Sequence, residues 1–443
     1  MRVALKRATS FIHQPMKKII IFCAAALISL VTFAQQPKYD TYFTPDRLRV
    51  DLTFAGDASY QKIFLDGLTK ECAWSGSKTN LVDPFKYGEY YMEVQTLQGN
   101  VIYSKGFNTL FQEWRTTADA QTTPQAFNSS YTIPFPKEKV TLKVYERVKA
   151  TGKHNEIFSI GIDPADKLIS KEVKNNYPVS KILYNGDPAT KVDLCFIAEG
   201  YTAQEMDKFL ADARRFTDYL FTMAPYNKHK EDFNIWVVES VSEESGTDIP
   251  HEGVWRKTVA NSNFYTFRSD RYLTAQNQKT ICEIATAAPY DALYVIVNNS
   301  KYGGGGIYNF YGLSASDCRW AEEVFIHEFG HSFAGLGDEY YDSSTSYEDF
   351  YNIGIEPWEP NLTTLVNFES KWKDMLPAST PVPTPPLSAP KDNVSVGVFE
   401  GGGYMAKGIY RPVMDCRMKT NTAAAFCPVC QRAIEKMIEY YCR

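Results

Sequence analysis

Two hydrophobic rhythms divide the chain. Between residues 37 and about 165, apolar and polar positions alternate in Arg47-Leu-Arg-Val-Asp-Leu-Thr-Phe, Tyr90-Tyr-Met-Glu-Val-Gln-Thr-Leu and Val140-Thr-Leu-Lys-Val-Tyr-Glu-Arg-Val. A period of two turns successive side chains to opposite faces of a strand, and turns such as Gln98-Gly-Asn separate the runs. The pattern predicts a small antiparallel β-sandwich over residues 35–165. A charged, apolar-poor stretch from Asp163 to Asn176 reads as a linker. From residue 177 the rhythm changes to short apolar runs that read as buried strands: Val192 to Ala198, Phe233 to Val238 and Asp291 to Val297. Helical patterns lie between them. Thr202-Ala-Gln-Glu205 is a capping box opening a helix with Met206, Phe209, Leu210, Ala213, Phe216 and Leu220 on one face. Residues 280–287 read as a second helix, and another closes the chain from about Pro428. Leu376 to Pro390 holds six prolines and is expected to be irregular. The expected class is α+β, with the mixed second domain spanning 177–443.

The helical rhythm is densest just before His327-Glu-Phe-Gly-His331. Ser316 or Asp317 would cap this helix, with glutamates in its first turns. Phe325, Phe329 and Phe333 form an anchoring stripe, and Gly335 offers a place to end the helix and turn the chain back. His327 and His331 then lie one turn apart on one face, so both imidazoles can reach a single cation. Glu328 projects beside them, where it can take a proton from water as a general base. Zinc is the metal this pattern points to.

A catalytic zinc site uses three protein ligands and leaves one position open. The chain's six histidines are His13, His154, His229, His251, His327 and His331, and none lies beyond His331. The third ligand is therefore sought among acids. Asp338 is the first choice, Glu339 its closest competitor, and Glu348 and Glu369 are the alternatives on later segments. Gly303-Gly-Gly-Gly306 just upstream permits tight turns or a close backbone approach, and an edge strand there would suit an extended peptide. A surface loop is the competing reading, and no Lys-Ser/Thr follows to make it a phosphate loop.

The first 34 residues change the expected location. Lys17-Lys18 precede an apolar run from Ile19 to Phe33, and Ala34 ends it before polar residues, the pattern of a secretory leader. Removing residues 1–34 takes away five basic and no acidic residues, leaving 42 basic against 52 acidic, a net charge near −10. That excess argues against nucleic acid as a partner, and no further apolar stretch approaches membrane length. An exported product, periplasmic or extracellular, is expected. Cys72, Cys195, Cys282, Cys318, Cys416, Cys427, Cys430 and Cys442 remain. For the cluster of Cys416, Cys427, Cys430 and Cys442, disulfides or free thiols are favoured over a structural zinc, because only one close Cys-x-x-Cys pair is present.

The ordered motifs carry a resemblance. A leader, a β-rich N-terminal region, HEFGHSFAGLGDEY, then EGGGY, YRP, CRM and FCPVC resemble the bacterial immunoglobulin A metallopeptidase family over nearly the whole mature chain. The resemblance implies a zincin-like catalytic domain with a mixed twisted sheet, an active-site helix and a cleft. It maps His327 and His331 to zinc ligands, Glu328 to the base and Asp338 to the third ligand. Met418 matches the methionine turn of related zincins, with Met414 as the alternative. The sequence departs from the commoner HExxHxxGxxH pattern by one extra residue before Gly335 and by aspartate in place of a third histidine. Oxyanion donors are sought among Tyr404, Tyr410, Arg411 and Tyr340, and His251 is weighed as a substrate contact. The expected activity is that of a secreted zinc endopeptidase with one catalytic ion. Its partner would be a peptide or protein, host or dietary glycoproteins among them. The alternatives are a zinc exopeptidase or amidase on modified peptides, and a non-catalytic protein- or glycan-binding protein on a zincin fold.

Overall fold

The computed structural model describes residues 36–71, 73–171, 175–341, 350–386 and 395–443. The expected leader, Cys72 and Glu348 lie outside them. A short helix, α1 (Tyr39–Tyr42), leads into the strands β1 (Phe43–Gly56), β2 (Gln61–Glu71), β3 (Tyr90–Thr96) and β4 (Val101–Phe107). After α2 (Leu110–Trp114) come β5 (Gln125–Pro136), β6 (Val140–Arg147), β7 (His154–Ile162) and β8 (Ser170–Lys171). They pair in two four-stranded sheets, ordered β5-β1-β2-β8 and β4-β3-β6-β7. The sheets face each other through aromatic contacts: Phe54 meets Tyr90 at 5.1 Å and Phe107 at 6.4 Å between ring centroids. All pairings are antiparallel except β2 with β8. Part of the expected linker is thus a strand.

The alternation in β1 has a use beyond one core. Leu48, Val50, Leu52 and Phe54 fill the space between the two sheets, yet Arg47, Arg49 and Asp51 on the other face are buried as well. They are paired rather than solvated: Arg47 reaches Glu71 at 2.6 Å, and Arg49 reaches Glu71 at 2.8 Å and Asp51 at 2.9 Å. Buried charges persist only with such partners. The covering element on that face is α4 (Gln278–Ala285), whose Gln278 side chain accepts from the Ser130 amide of β5.

The second half is built on a six-stranded sheet. Its strands are β9 (Val179–Leu183), β10 (Val192–Glu199), β11 (Phe233–Val238), β14 (Ala292–Val297), β15 (Gly304–Ile307) and β16 (Tyr311–Ala315). The pair β12 (Ser262–Asn263) and β13 (Thr274–Ala275) forms a separate small ladder. The order is β15-β16-β14-β10-β11-β9, with parallel central strands and antiparallel edges. Strands covered on both faces read as continuous apolar runs, and β10 is buried at every position. Its Leu194, Phe196 and Ala198 pack with α3 (Met206–Leu220), α5 (Ala321–Ala334) and α6 (Pro428–Cys442). Its Cys195 and Ile197 belong to the core shared by α4 and the sandwich. Residues Gln36–Arg443 therefore form one compact unit. The hairpin of β17 (Phe399–Gly402) and β18 (Met405–Arg411) completes the strands, and residues 376–386 hold neither helix nor strand. Among the described residues no helix is long and apolar enough to cross a membrane.

Candidate active site

Helix α5 carries the histidines, and its frame is mostly as the sequence implies. Glu322 and Glu323 occupy the first turn, where negative charge suits the positive helix end. Phe325, Phe329 and Phe333 are buried and stack in series at 6.0 and 5.0 Å. Each such burial is worth about 1.5–3 kcal/mol. Gly335 ends the helix in the left-handed region at φ 64°, donating to His331 O at 3.1 Å while Leu336 N reaches Gly330 O at 3.2 Å. The start differs. The cap is Trp320, without a side-chain bond, and neither Ser316 nor Asp317 serves. Ser316 N still follows the sheet by donating to Val297 O, and Lys208 of α3 engages the Ser316 and Asp317 side chains at 3.4 and 2.9 Å.

At the C-terminal half of α5 three acceptors converge. His327 Nε2 lies 3.1 Å from His331 Nε2, and Asp338 Oδ1 lies 3.1 and 3.2 Å from these two nitrogens. Both Nδ1 atoms face backbone carbonyls, Arg417 O at 3.0 Å and Leu336 O at 2.5 Å. Nδ1 must therefore carry the proton in each neutral ring, which leaves both Nε2 lone pairs and the carboxylate pointing at one another. Such a triangle needs a positive charge at its centre. Ligands held about 2.0–2.1 Å from one tetrahedral ion stand about 3.3–3.4 Å apart, close to the spacing found. Without a metal, a proton answers the same demand. Burial pushes His331 down, but the Asp338 charge and hydrogen bond outweigh it and raise the imidazole to about 9. Burial likewise pushes Asp338 up, yet His331 and the bonds from both histidines hold it well below the usual carboxylate range.

The acids near the turn separate cleanly. Asp338 is buried and aimed at the histidines, and its other oxygen accepts from the Tyr404 hydroxyl. Glu339 turns the opposite way, toward Cys430 Sγ at 3.3 Å. Glu369 is a surface residue paired with Lys373. Tyr404 stands at the tip of the β17–β18 hairpin, whose Gly403 (φ 54°) donates to Asp338 O at 2.7 Å while Tyr404 N donates to Tyr340 O at 3.0 Å. The glycines of EGGGY thus let the hairpin fold tightly over the acid-bearing turn. Because Tyr404 orients Asp338, Tyr404→Phe is expected to weaken metal binding about 10- to 100-fold, as lost outer partners do, measured by competition with a chromophoric chelator. Met418 packs against α5 beside Gly330, where a Cβ would come 2.8 Å from its sulfur. Met414 instead faces Arg411.

Glycines also set the opposite wall. A Cβ on Gly304 would sit 3.0 Å from both Cγ and Oε1 of Glu328, and one on Gly306 would sit 2.3 Å from Glu328 O. Bare backbone lets β15 lie directly against α5. The outer edge of β15 is occupied at its first residue, where Leu273 N donates to Gly304 O and Tyr272 bridges to Gly304. Glu328 is partly buried. Desolvation raises its carboxyl above the ordinary value, with Asp338 adding to the rise and His327, His331 and Arg271 opposing it.

The triangle opens into a cleft of ≈ 1530 Å³ that also takes in Gln112, Glu113 and Arg115 from the sandwich side. The N-terminal region is therefore a wall of the site, which its sequence did not signal. Glu113 accepts from the Tyr272 hydroxyl, and burial raises its carboxyl to about 7. Tyr340 and Tyr404 line the cleft; Tyr410, Arg411 and His251 do not. Arg411 holds the carbonyls of Glu400 and Gly401, and His251 pairs with Asp270 at 2.6 Å. The Arg417 and Leu336 carbonyls that fix the histidine tautomers are backbone groups, invisible to any residue pattern.

The chain matches the family described as IgA Peptidase M64 over residues 181–391 and 386–438, and the Peptidase M64 N-terminus over residues 38–159. No curated protein matches it. The first match covers more than half of the chain and contains α5, the Asp338 turn and the β17–β18 hairpin. On that extent, the chain belongs to the IgA peptidase M64 family of metallopeptidases.

Proposed function

We propose that the protein is an exported, zinc-dependent endopeptidase in which His327, His331 and Asp338 hold the ion and Glu328 is the general base. The observation that carries this reading is the convergence of three lone-pair donors within 3.2 Å, with Glu328 beside them at the cleft. When bound, the ion would acidify a water and polarise the scissile carbonyl. Glu328, which lies with His327 and His331 at the cleft, takes the proton of a water and passes it to the leaving amine. Tyr340 faces the cleft beside Tyr404, whose hydroxyl is committed to Asp338, and this supports Tyr340 as the donor to the developing oxyanion. Export belongs to the same reading and rests on the apolar segment from Ile19 to Phe33.

Endopeptidase action is supported by the size of the cleft, whose lining takes in the sandwich wall and Asn421 as well as the triangle. A quenched peptide blocked at both ends tests it. Cleavage is expected, with loss on chelation and recovery on adding zinc. Cleavage of free-ended peptides alone would favour the exopeptidase reading, and cleavage indifferent to chelation would remove the metal from the mechanism. Host and dietary glycoproteins are the protein substrates to try after the peptides.

A further inference from the structure

We infer that the protein has a second metal site, a closed structural zinc site formed by Cys416, Cys427, Cys430 and Glu339. Their three sulfurs and one carboxylate oxygen all lie within 4.8 Å of one another, and all four residues are buried. Cys416 Sγ and Cys430 Sγ are 3.8 Å apart, and Cys430 Sγ is 3.3 Å from Glu339 Oε1. With Zn–S near 2.3 Å and Zn–O near 2.0–2.2 Å, tetrahedral edges measure about 3.8 Å between sulfurs and about 3.5 Å between sulfur and oxygen. Two of the six edges thus match a filled zinc tetrahedron closely, and the other four lie within 4.8 Å. A Cys₃Glu set is complete with four protein ligands, the mark of a structural rather than a catalytic site.

The surroundings are those thiolate ligands require. Backbone amides donate to two of the sulfurs, Cys427 N to Cys416 Sγ at 3.2 Å and Cys430 N to Cys427 Sγ at 3.4 Å. Cys427 caps α6 and Cys430 lies in its first turn, where the helix end favours negative charge. Asn361 Nδ2 fixes Glu339 Oε1 at 3.0 Å, while Glu339 Oε2 is buried without a hydrogen-bond partner. A carboxylate fully withdrawn from water among three sulfurs is costly unless a cation neutralises it. The seven described cysteines are free thiols, and Cys442 stands apart, facing Asp232 O. The fourth member of the cluster is thus an acid from far upstream rather than the fourth cysteine of the C-terminal run.

The position gives the site its role. Glu339 is the residue after Asp338. Cys416 precedes Arg417, whose carbonyl holds His327 Nδ1, and Glu339 N donates to Met418 O at 2.8 Å. One ion would tie the acid-bearing turn, the methionine turn and the start of α6 together beneath the histidines.

The test counts metal in the full-length chain by mass spectrometry and substitutes cobalt(II) to read thiolate ligation as a charge-transfer band. Wild type is expected to hold two zinc ions, and the His327→Ala/His331→Ala variant one, with the thiolate band in both. That variant separates this site from the proposed catalytic ion, since the band there owes nothing to the histidines. Cys427→Ser/Cys430→Ser should lose the band; if it fails to fold, the wild-type band still decides. A wild-type chain without a thiolate band, or a disulfide between any two of the three cysteines in the isolated protein, overturns the assignment.

Discussion

Replacing Glu328 with glutamine is expected to leave zinc bound and to lower kcat/KM by about 10²- to 10⁴-fold, the range a positioned general base supplies. Glutamine keeps the shape that packs against Gly304, where a Cβ would stand 3.0 Å from the Glu328 side chain. It also keeps an acceptor oxygen, so the wall between β15 and α5 is preserved. Only the ability to take a proton is lost. The fall should appear equally in kcat and kcat/KM, because the cleft that binds substrate is untouched. Metal content and circular dichroism of the variant separate this from unfolding. An unchanged rate would remove Glu328 from the mechanism. If neither wild type nor variant cleaves anything but both retain a peptide, the binding-protein reading gains the ground.

The parts of this centre legible in the sequence are those whose causes are local. Two histidines a turn apart, a phenylalanine stripe at helical spacing and a glycine ready for φ 64° are all written within one helix of chain. The helix start departs from its local pattern because the decision is distant: Lys208, on another helix, engages Ser316 and Asp317, and Trp320 takes the cap. The choice between Asp338 and Glu339 was open for a related reason. Neighbouring residues in non-helical chain direct their side chains apart, and what fixes which one meets the histidines is Tyr404, 66 residues on, and Cys430, 91 residues on from Glu339. The glycine run declared a close approach without naming its partner. The alternation in β1 likewise announced a strand but not that its polar face would be buried under α4. The sandwich wall around Glu113 carried no local signal at all.

Asp338→Ala is expected to reduce affinity at the histidine site by more than about 100-fold, beyond what loss of an outer partner such as the Tyr404 hydroxyl costs. Two imidazoles remain, held by the Arg417 and Leu336 carbonyls, but the negative charge that draws a cation between them is gone. Removing it also strips His331 of the strongest influence holding it above its ordinary value, leaving only Glu328 and the Leu336 carbonyl to oppose burial. The two Nε2 atoms then face each other across 3.1 Å without the Asp338 carboxylate that lay against both, so the rings should rotate apart. Peptide cleavage is lost with the ion. Glu339→Ala makes the decisive comparison, since that side chain points at Cys430 and not at the histidines. With cobalt in place of zinc, Asp338→Ala should keep the thiolate band and lose the histidine-bound ion, whereas Glu339→Ala should perturb the thiolate band. The reverse pattern, with the histidine-bound ion surviving Asp338→Ala but not Glu339→Ala, would transfer the third ligand to Glu339.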